Sequence, residues 1–198
     1  MNIEIKRLSI ELTNDYIDYF DNIAFADNQE WAGCYCVWYH WNDSLEAERE
    51  EYMAAGGTCF KRNLAIKFIQ DGILQGYLAY VDGSVAGWCN ANDKANYDGL
   101  SKEKRPEIWG NVDCAEKAKS IVCFTIAPHM RRKGIATHLL NRVCEDAWAE
   151  GYTYVEAYPG KGESNVDRNY HGPYTIYEKC GFSVYKDLEG EAIVRKYL

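Results

Sequence analysis

The spacing of hydrophobic residues predicts helices in the first third of the chain. Apolar residues recur there at the intervals of an amphipathic helix, after a short alternating stretch at residues 3–8 that predicts a strand. The predicted helices span residues 14–25, 45–55 and 63–70. Near Gly76 the pattern changes, and two β-branched and aromatic runs flank Asp82-Gly83, a pair typical of a type I′ turn. They predict a hairpin over residues 76–90.

Strands and helices alternate over the rest of the chain. The predicted strands span residues 119–126, 152–158, 182–186 and 191–197. The predicted helices span residues 134–150 and 173–180. The polar stretches 92–111 and 159–172 predict loops. A hairpin followed by strand–helix–strand units indicates an α/β sandwich on a mixed sheet.

The junction after the central apolar strand has the chemistry of an anion site. The apolar run ends at Pro128, a cationic turn of Arg131, Arg132 and Lys133 follows, and a helix begins near Gly134. The first N–H groups of a helix have no intrahelical acceptor and carry partial positive charge. Glycine has no Cβ, so a phosphate or pyrophosphate can approach the backbone closely. The backbone amides expected to bind it belong to Arg132, Lys133, Gly134, Ala136 and Thr137.

Two motifs resemble the GNAT family of N-acetyltransferases. Arg131-x-x-Gly134-x-Ala136 is similar to the family's acetyl-CoA pyrophosphate signature. Ile176-Tyr-Glu-Lys-Cys-Gly-Phe182 is similar to a second family segment at the expected distance downstream. The Gly-x-Gly-x-x-Gly of dinucleotide-binding folds and the Gly-Lys-Ser/Thr of a P-loop are both absent from the turn.

The resemblance implies an α/β GNAT acyl-CoA N-acyltransferase fold, with a mixed central sheet flanked by helices. It implies a single domain over residues 1–198, with an acceptor-side region at about 1–75 and a core at about 76–198. In that family the pantetheine arm of acetyl-CoA lies where the central strand and the next parallel strand part. The residues that would bind acetyl-CoA by this analogy are Phe124, Thr125 and Ile126 through their main chain, and Arg131, Arg132, Lys133, Gly134, Ile135, Ala136 and Thr137 around the pyrophosphate.

Acetyl transfer from a thioester to an amine needs a neutral amine and a proton for the departing thiolate. The resemblance implies that Tyr177 donates this proton, and packing against the sheet is the alternative. Tyr170 and Pro173 stand where the family pattern has Asn and Ala, so the CoA contact that this Asn usually makes is in doubt. The central strand has no carboxylate, so Glu156 on the following strand is our candidate base. Further candidates are Asp113, His129 and His171, although a lone histidine or carboxylate more often has a structural role.

Charge and composition exclude several classes of protein. The net charge of −8 argues against nucleic acid as the main partner, since phosphate backbones need a basic surface. No apolar run has membrane-spanning length and the N-terminus lacks a signal-peptide pattern, so we expect a cytoplasmic protein without a membrane partner. The eight cysteines lie in or beside apolar segments, and we expect them to be reduced and buried. A homodimer is compatible with these features.

Cys34-Tyr-Cys36 and His40 have a spacing that suggests a metal site. Structural zinc sites need a second pair of ligands, and Cys59, Cys89 and Cys114 are isolated from one another. We therefore predict no metal. The aromatic segment 31–41 that contains these residues is expected to pack in the core or to line the acceptor pocket.

The sequence thus predicts an acetyl-CoA-dependent N-acetyltransferase that transfers the acetyl group directly to a primary amine of a small molecule or peptide. The alternative is a regulatory module that binds acetyl-CoA without catalysis, which the missing carboxylate of the central strand favours. A third hypothesis is a metal-dependent regulatory protein that uses Cys34, Cys36 and His40.

Overall fold

A single mixed sheet forms the centre of the protein. The computed structural model describes residues 1–97, 105–109, 116–161 and 170–198. The strands of these residues are β1 (Ile3–Arg7), β2 (Gly76–Val81), β3 (Ser84–Asp93), β4 (Ala118–Ile126), β5 (Tyr154–Ala157), β6 (Ser183–Leu188) and β7 (Glu191–Tyr197). Their order in the sheet is β1-β2-β3-β4-β5-β7-β6. Only β4 and β5 are parallel neighbours, which confirms the predicted mixed sheet.

Helices cover both faces of the sheet. They are α1 (Thr13–Asn22), α2 (Asp43–Ala54), α3 (Phe60–Gln70), α4 (Pro106–Trp109), α5 (Ile135–Ala149) and α6 (Tyr174–Lys179). The apolar sides of α1 and α3 pack in one core cluster with Cys123 of β4. Helices α5 and α6 pack in a second cluster with Phe124. Successive residues of β4 therefore point to opposite faces, as the two-residue period of a strand requires.

The apolar pattern of α5 explains both its position and its length. Six of its side chains are buried: Ile135, Leu139, Leu140, Val143, Cys144 and Ala147. Burial of each Leu or Ile stabilises the fold by about 1.5–3 kcal/mol. Gly134 precedes the helix with φ of 81°, and Gly151 follows it with φ of 73°. The predicted start and end of this helix are confirmed.

Local sequence signals located the hairpin correctly and misplaced one connection. Asp82 and Gly83 both have positive φ, 48° and 88°, which the predicted type I′ turn requires. The loop predicted from residue 92 is wrong in part, because β3 continues to Asp93 and short helical turns follow at Lys94–Asn96 and in α4. Stretches 98–104, 110–115 and 162–169, with the candidate base Asp113, lie outside the described residues.

The described cysteines are all free thiols. Five of them are buried, whereas Cys34 is half-buried and Cys59 is exposed. The expectation of burial is wrong for Cys59 because this residue precedes the first turn of α3 at the surface. In the described parts of the chain, no helix has the length and apolarity needed to cross a membrane.

Candidate active site

The two parallel strands of the sheet separate after a short contact. β4 pairs with β5 only over Ala118–Ile121, because β5 ends at Ala157. Within the described residues, positions 122–126 of β4 therefore have no partner strand on that edge. The ladder between β3 and β4 also slips by one residue at Asn90, which leaves Val122 as the extra residue of a β-bulge. The bulge lies where the strands part, so the opening is built into the backbone.

Alternate residues of β4 turn their main-chain groups into this opening. The N–H of Ala127 donates to a β3 carbonyl over 2.9 Å. Bonding alternates along the edge of an antiparallel strand, so Thr125 also bonds to β3, while Phe124 and Ile126 face the opening. The Ile126 carbonyl accepts a hydrogen bond from Arg131 Nε at 3.2 Å. Of the three residues predicted to bind pantetheine through their main chain, Phe124 and Ile126 have the required orientation and Thr125 does not.

A cleft of about 710 Å³ occupies the opening, a size typical of small-molecule sites. The end of β4, the first turn of α5, the N-terminal segment 24–31 and the segment 170–176 all contribute to its lining. Every residue predicted to bind acetyl-CoA lines the cleft except Lys133, whose Nζ lies 3.6 Å from the sulfur of Met130.

The turn before α5 presents backbone amides to one end of the cleft. Arg132 and Gly134 both have positive φ, 61° and 81°. The helix receives no side-chain cap, and its first intrahelical hydrogen bond runs from the N–H of His138 to Gly134. The amides of Ile135, Ala136 and Thr137 precede that bond and have no acceptor within the helix. All three residues line the cleft, so the turn has the geometry of an anion site.

Arg131 makes contacts that the sequence did not suggest. Its guanidinium forms two hydrogen bonds with the carboxylate of Asp27, at 2.5 and 3.0 Å, in addition to the bond to Ile126. The hydrogen bonds from Arg131 lower the pKa of Asp27, so this carboxylate stays ionised at neutral pH. Arg131 therefore connects segment 24–31 to the end of β4. Arg132 also lines the cleft, and none of the described salt bridges pairs it with a carboxylate.

The hydroxyl of Tyr177 lies directly behind the lining of the cleft. It is fully buried and donates to the main-chain carbonyl of His171 at 2.5 Å. Gly172 separates it from the cleft, and a Cβ at that position would be 3.4 Å from the hydroxyl. Burial raises the pKa of Tyr177 well above its ordinary value, so the phenol is protonated at neutral pH. The predicted proton-donor role stays a prediction.

Glu156 lies in a buried ion-pair network away from the cleft. Its carboxylate is fully buried, 2.6 Å from Lys94 Nζ and 2.6 Å from Arg195 Nε. The Tyr158 hydroxyl donates to it at 2.8 Å. Both carboxylate oxygens are thus held by buried cations, and Glu156 does not line the cleft. These contacts favour a structural role over the predicted role of general base.

The two histidines considered as bases also lie outside the lining of the cleft. His129 is exposed in the short turn after β4. His171 is buried, and its ring packs against Tyr170 with centroids 4.2 Å apart. Neither position supports a direct contact with an amine in the cleft.

The Cys34, Cys36 and His40 segment contributes mainly to the core. The sulfur of Cys36 is 3.2 Å from that of Cys123, and the His40 ring packs edge-on to Phe68. Within the described residues, no three His, Cys, Asp or Glu side chains are placed to hold a metal ion. Among the described lining residues of the cleft, segment 31–41 supplies Trp31 alone.

Comparison with known proteins agrees with this geometry. A sequence model of the acetyltransferase (GNAT) family matches residues 35–182, so the chain belongs to that family. No curated protein matches the sequence. Structures of similar fold include the PaiA N-acetyltransferase of Thermoplasma acidophilum in complex with coenzyme A, 16% identical with a TM-score of 0.55. The mosquito arylalkylamine N-acetyltransferase-like 5b is 12% identical with a TM-score of 0.57, and both alignments cover 100% of each chain.

A third structure, the Drosophila melanogaster polyamine N-acetyltransferase, is 10% identical with a TM-score of 0.56 over 100% of both chains. At these identities the likeness establishes the fold and leaves the acceptor open. The family uses acetyl-CoA as its cosubstrate, and the resemblance seen in the two sequence motifs is therefore confirmed at the level of family and fold.

Proposed function

We propose that this protein is an acetyl-CoA-dependent N-acetyltransferase that acts on a primary amine by direct transfer. The observation that carries the proposal is the continuity of one cleft from the uncapped first turn of α5 to the unpaired edge of β4. The turn offers amides and Arg132 to a diphosphate, and Phe124 and Ile126 offer main-chain groups to the amides of pantetheine.

The reaction needs both substrates in contact within this cleft. The amine nitrogen attacks the thioester carbonyl carbon, a C–N bond forms, and the C–S bond breaks with its electron pair leaving on sulfur. The amine loses one proton and the sulfur gains one, so protons balance. Holding the two reactants together supplies several kcal/mol of the catalytic effect. Tyr177 is our proposed proton donor to sulfur, and we assign no side chain as the base.

Calorimetry with acetyl-CoA, followed by an assay of CoA release with amines, tests the proposal. We expect saturable heat with acetyl-CoA, and much weaker heat with pantetheine, which lacks the diphosphate. We also expect CoA release that depends on a primary amine. No heat and no thermal shift at saturating acetyl-CoA would contradict the proposal at its first step.

Gly134→Ala should weaken acetyl-CoA binding about tenfold. An alanine at φ of 81° costs about 1–2 kcal/mol, and relief of that strain would turn the amides of the first turn away from the diphosphate. Gly151→Ala is a matched control, since Gly151 has φ of 73° and open space around its Cβ position, as Gly134 does. We expect both variants to lose similar stability and only Gly134→Ala to lose affinity by calorimetry. Equal affinities would remove the turn from the binding site.

A module that binds acetyl-CoA without transfer is the second candidate. It is favoured by the ion pair that neutralises Asp27 and by the hydrogen bond that engages the Tyr177 hydroxyl. Acetyl-CoA binding without CoA release across aromatic, aliphatic and peptide amines would support this module over the enzyme.

A further inference from the structure

We infer that the acceptor is a primary amine carried on an apolar, preferably aromatic, group, and that the Thr125 hydroxyl binds its amino group. This inference rests on the proposed function, because it assigns the acceptor of the same cleft. It is carried by three observations: an unpaired buried hydroxyl, a group of aromatic rings in the same cleft, and the neutralised charge of the lining.

The side chain of Thr125 points to the face of the sheet opposite α5. Cys123 and Ala127, two residues to either side, belong to the core cluster packed by α1, whereas Phe124 belongs to the cluster packed by α5. The strand period places Thr125 with Cys123 and Ala127. The cleft, which Thr125 lines, therefore reaches the α1 face of β4 as well as the turn before α5.

The Thr125 hydroxyl is a polar group prepared for a ligand. Thr125 is 8% exposed, lines the cleft, and its Oγ1 finds no hydrogen-bond partner among the described residues. A buried hydroxyl without a partner is costly, so an occupant that bonds to it is favoured. The oxygen can accept an N–H from a neutral amine and leave the amine lone pair directed at the thioester carbon.

Aromatic rings line the same cleft as Thr125. Phe25, Trp31 and Tyr170 all line the cleft and are half-buried. The rings of Phe25 and Trp31 have centroids 6.4 Å apart, and those of Trp31 and Tyr170 are 5.3 Å apart. An apolar or aromatic group that packs on this surface buries apolar area and makes the binding free energy of the acceptor more favourable.

The charges of the lining disfavour a second ammonium group on the acceptor. Asp27 is the one acidic side chain among the described lining residues, and both of its oxygens are bonded to Arg131. Arg132 adds positive charge to the same cleft. The second ammonium group of a diamine would lie in the cleft without a free carboxylate to pair with. This holds although the whole chain has a net charge of −8. The local charge, and not the net charge, decides this selectivity.

The test compares 2-phenylethylamine with putrescine as acceptors for the full-length protein, by CoA release at saturating acetyl-CoA. We expect kcat/KM for 2-phenylethylamine to exceed that for putrescine at least about tenfold. A higher kcat/KM for putrescine would overturn the inference. Acetyl-CoA binding with no turnover of either amine would overturn it too and support the non-catalytic module, whereas absence of acetyl-CoA binding would remove the proposed function itself.

Two pairs of variants locate the acceptor. Trp31→Ala should lower kcat/KM for 2-phenylethylamine about tenfold, while Trp148→Ala, at a tryptophan 71% exposed on α5, should leave it unchanged. Thr125→Val should raise the KM for 2-phenylethylamine about three- to tenfold, and Thr125→Ser should retain the parental KM. The acetyl-CoA Kd should stay within about twofold in all four. A Thr125→Val variant that changes the acetyl-CoA Kd, and not the amine KM, would assign the hydroxyl to the cosubstrate and overturn its role.

Discussion

Glu156→Gln should destabilise the protein by about 3–5 kcal/mol, the usual effect of removing one partner from a buried ion pair. Lys94 and Arg195 both depend on this carboxylate, and Lys94 is only 3% exposed. The amide keeps the shape of the side chain but leaves two buried cations without their counter-charge. For a chain of this size the loss corresponds to a fall in melting temperature of about 10 °C, measurable by calorimetry.

Turnover separates this structural role from the general-base role that the sequence suggested. The folded fraction of Glu156→Gln, assayed well below its melting temperature, should retain most of its CoA release with a reactive amine. Glu46→Gln is the matched control, because Glu46 forms a solvent-accessible, half-exposed ion pair with Arg49. Its melting temperature should change little, since exposed pairs contribute little to stability. Unchanged stability with abolished turnover in Glu156→Gln would restore the carboxylate to the mechanism.

Tyr177→Phe should lower turnover about 100-fold and leave the acetyl-CoA Kd nearly unchanged. General acid catalysis by a positioned side chain is typically worth a factor of this size or more. The Tyr177 phenol lies behind Gly172, beside the unpaired edge of β4, and its raised pKa keeps the proton on the oxygen. Single-turnover kinetics at saturating acetyl-CoA measures the chemical step directly.

Tyr16→Phe controls for the loss of a buried hydrogen bond. The Tyr16 hydroxyl is also fully buried and donates to a main-chain carbonyl, that of Tyr35, at 2.7 Å. Both variants should lose similar stability, of about 1 kcal/mol. A slow chemical step in Tyr177→Phe alone would support proton donation, whereas equal turnover in the parent and Tyr177→Phe would remove Tyr177 from the mechanism.

Features that depend on neighbouring residues were predictable from the sequence. The type I′ turn at Asp82-Gly83 needs two residues with positive φ, and the pair itself signals this. The start of α5 follows from the break at Pro128 and from Gly134, so the position of the turn between them was predictable. The opening of the cleft was expected only through the family resemblance, because no local signal marks the end of pairing at Ala157.

Features that depend on distant residues were not predictable. Lys94 belongs to a polar stretch that indicated a loop, yet it is buried against Glu156, 62 residues later. Asp27 meets Arg131 across 104 residues, and nothing near Asp27 distinguishes it from other surface acids. The insertion of β7 between β5 and β6 likewise follows from packing of the complete sheet and not from chain order.

The Asp27–Arg131 ion pair connects the two proposed substrate sites, so binding of one substrate should change the affinity for the other. Arg131 belongs to the loop that would meet the diphosphate, while Asp27 belongs to the segment that carries Phe25 and Trp31. We expect a diphosphate that displaces this guanidinium to disturb segment 24–31 as well, and thermodynamic linkage would make the effect reciprocal. Bound acetyl-CoA should therefore change the affinity for the amine, and a variant that removes the Asp27–Arg131 ion pair should make the two affinities independent.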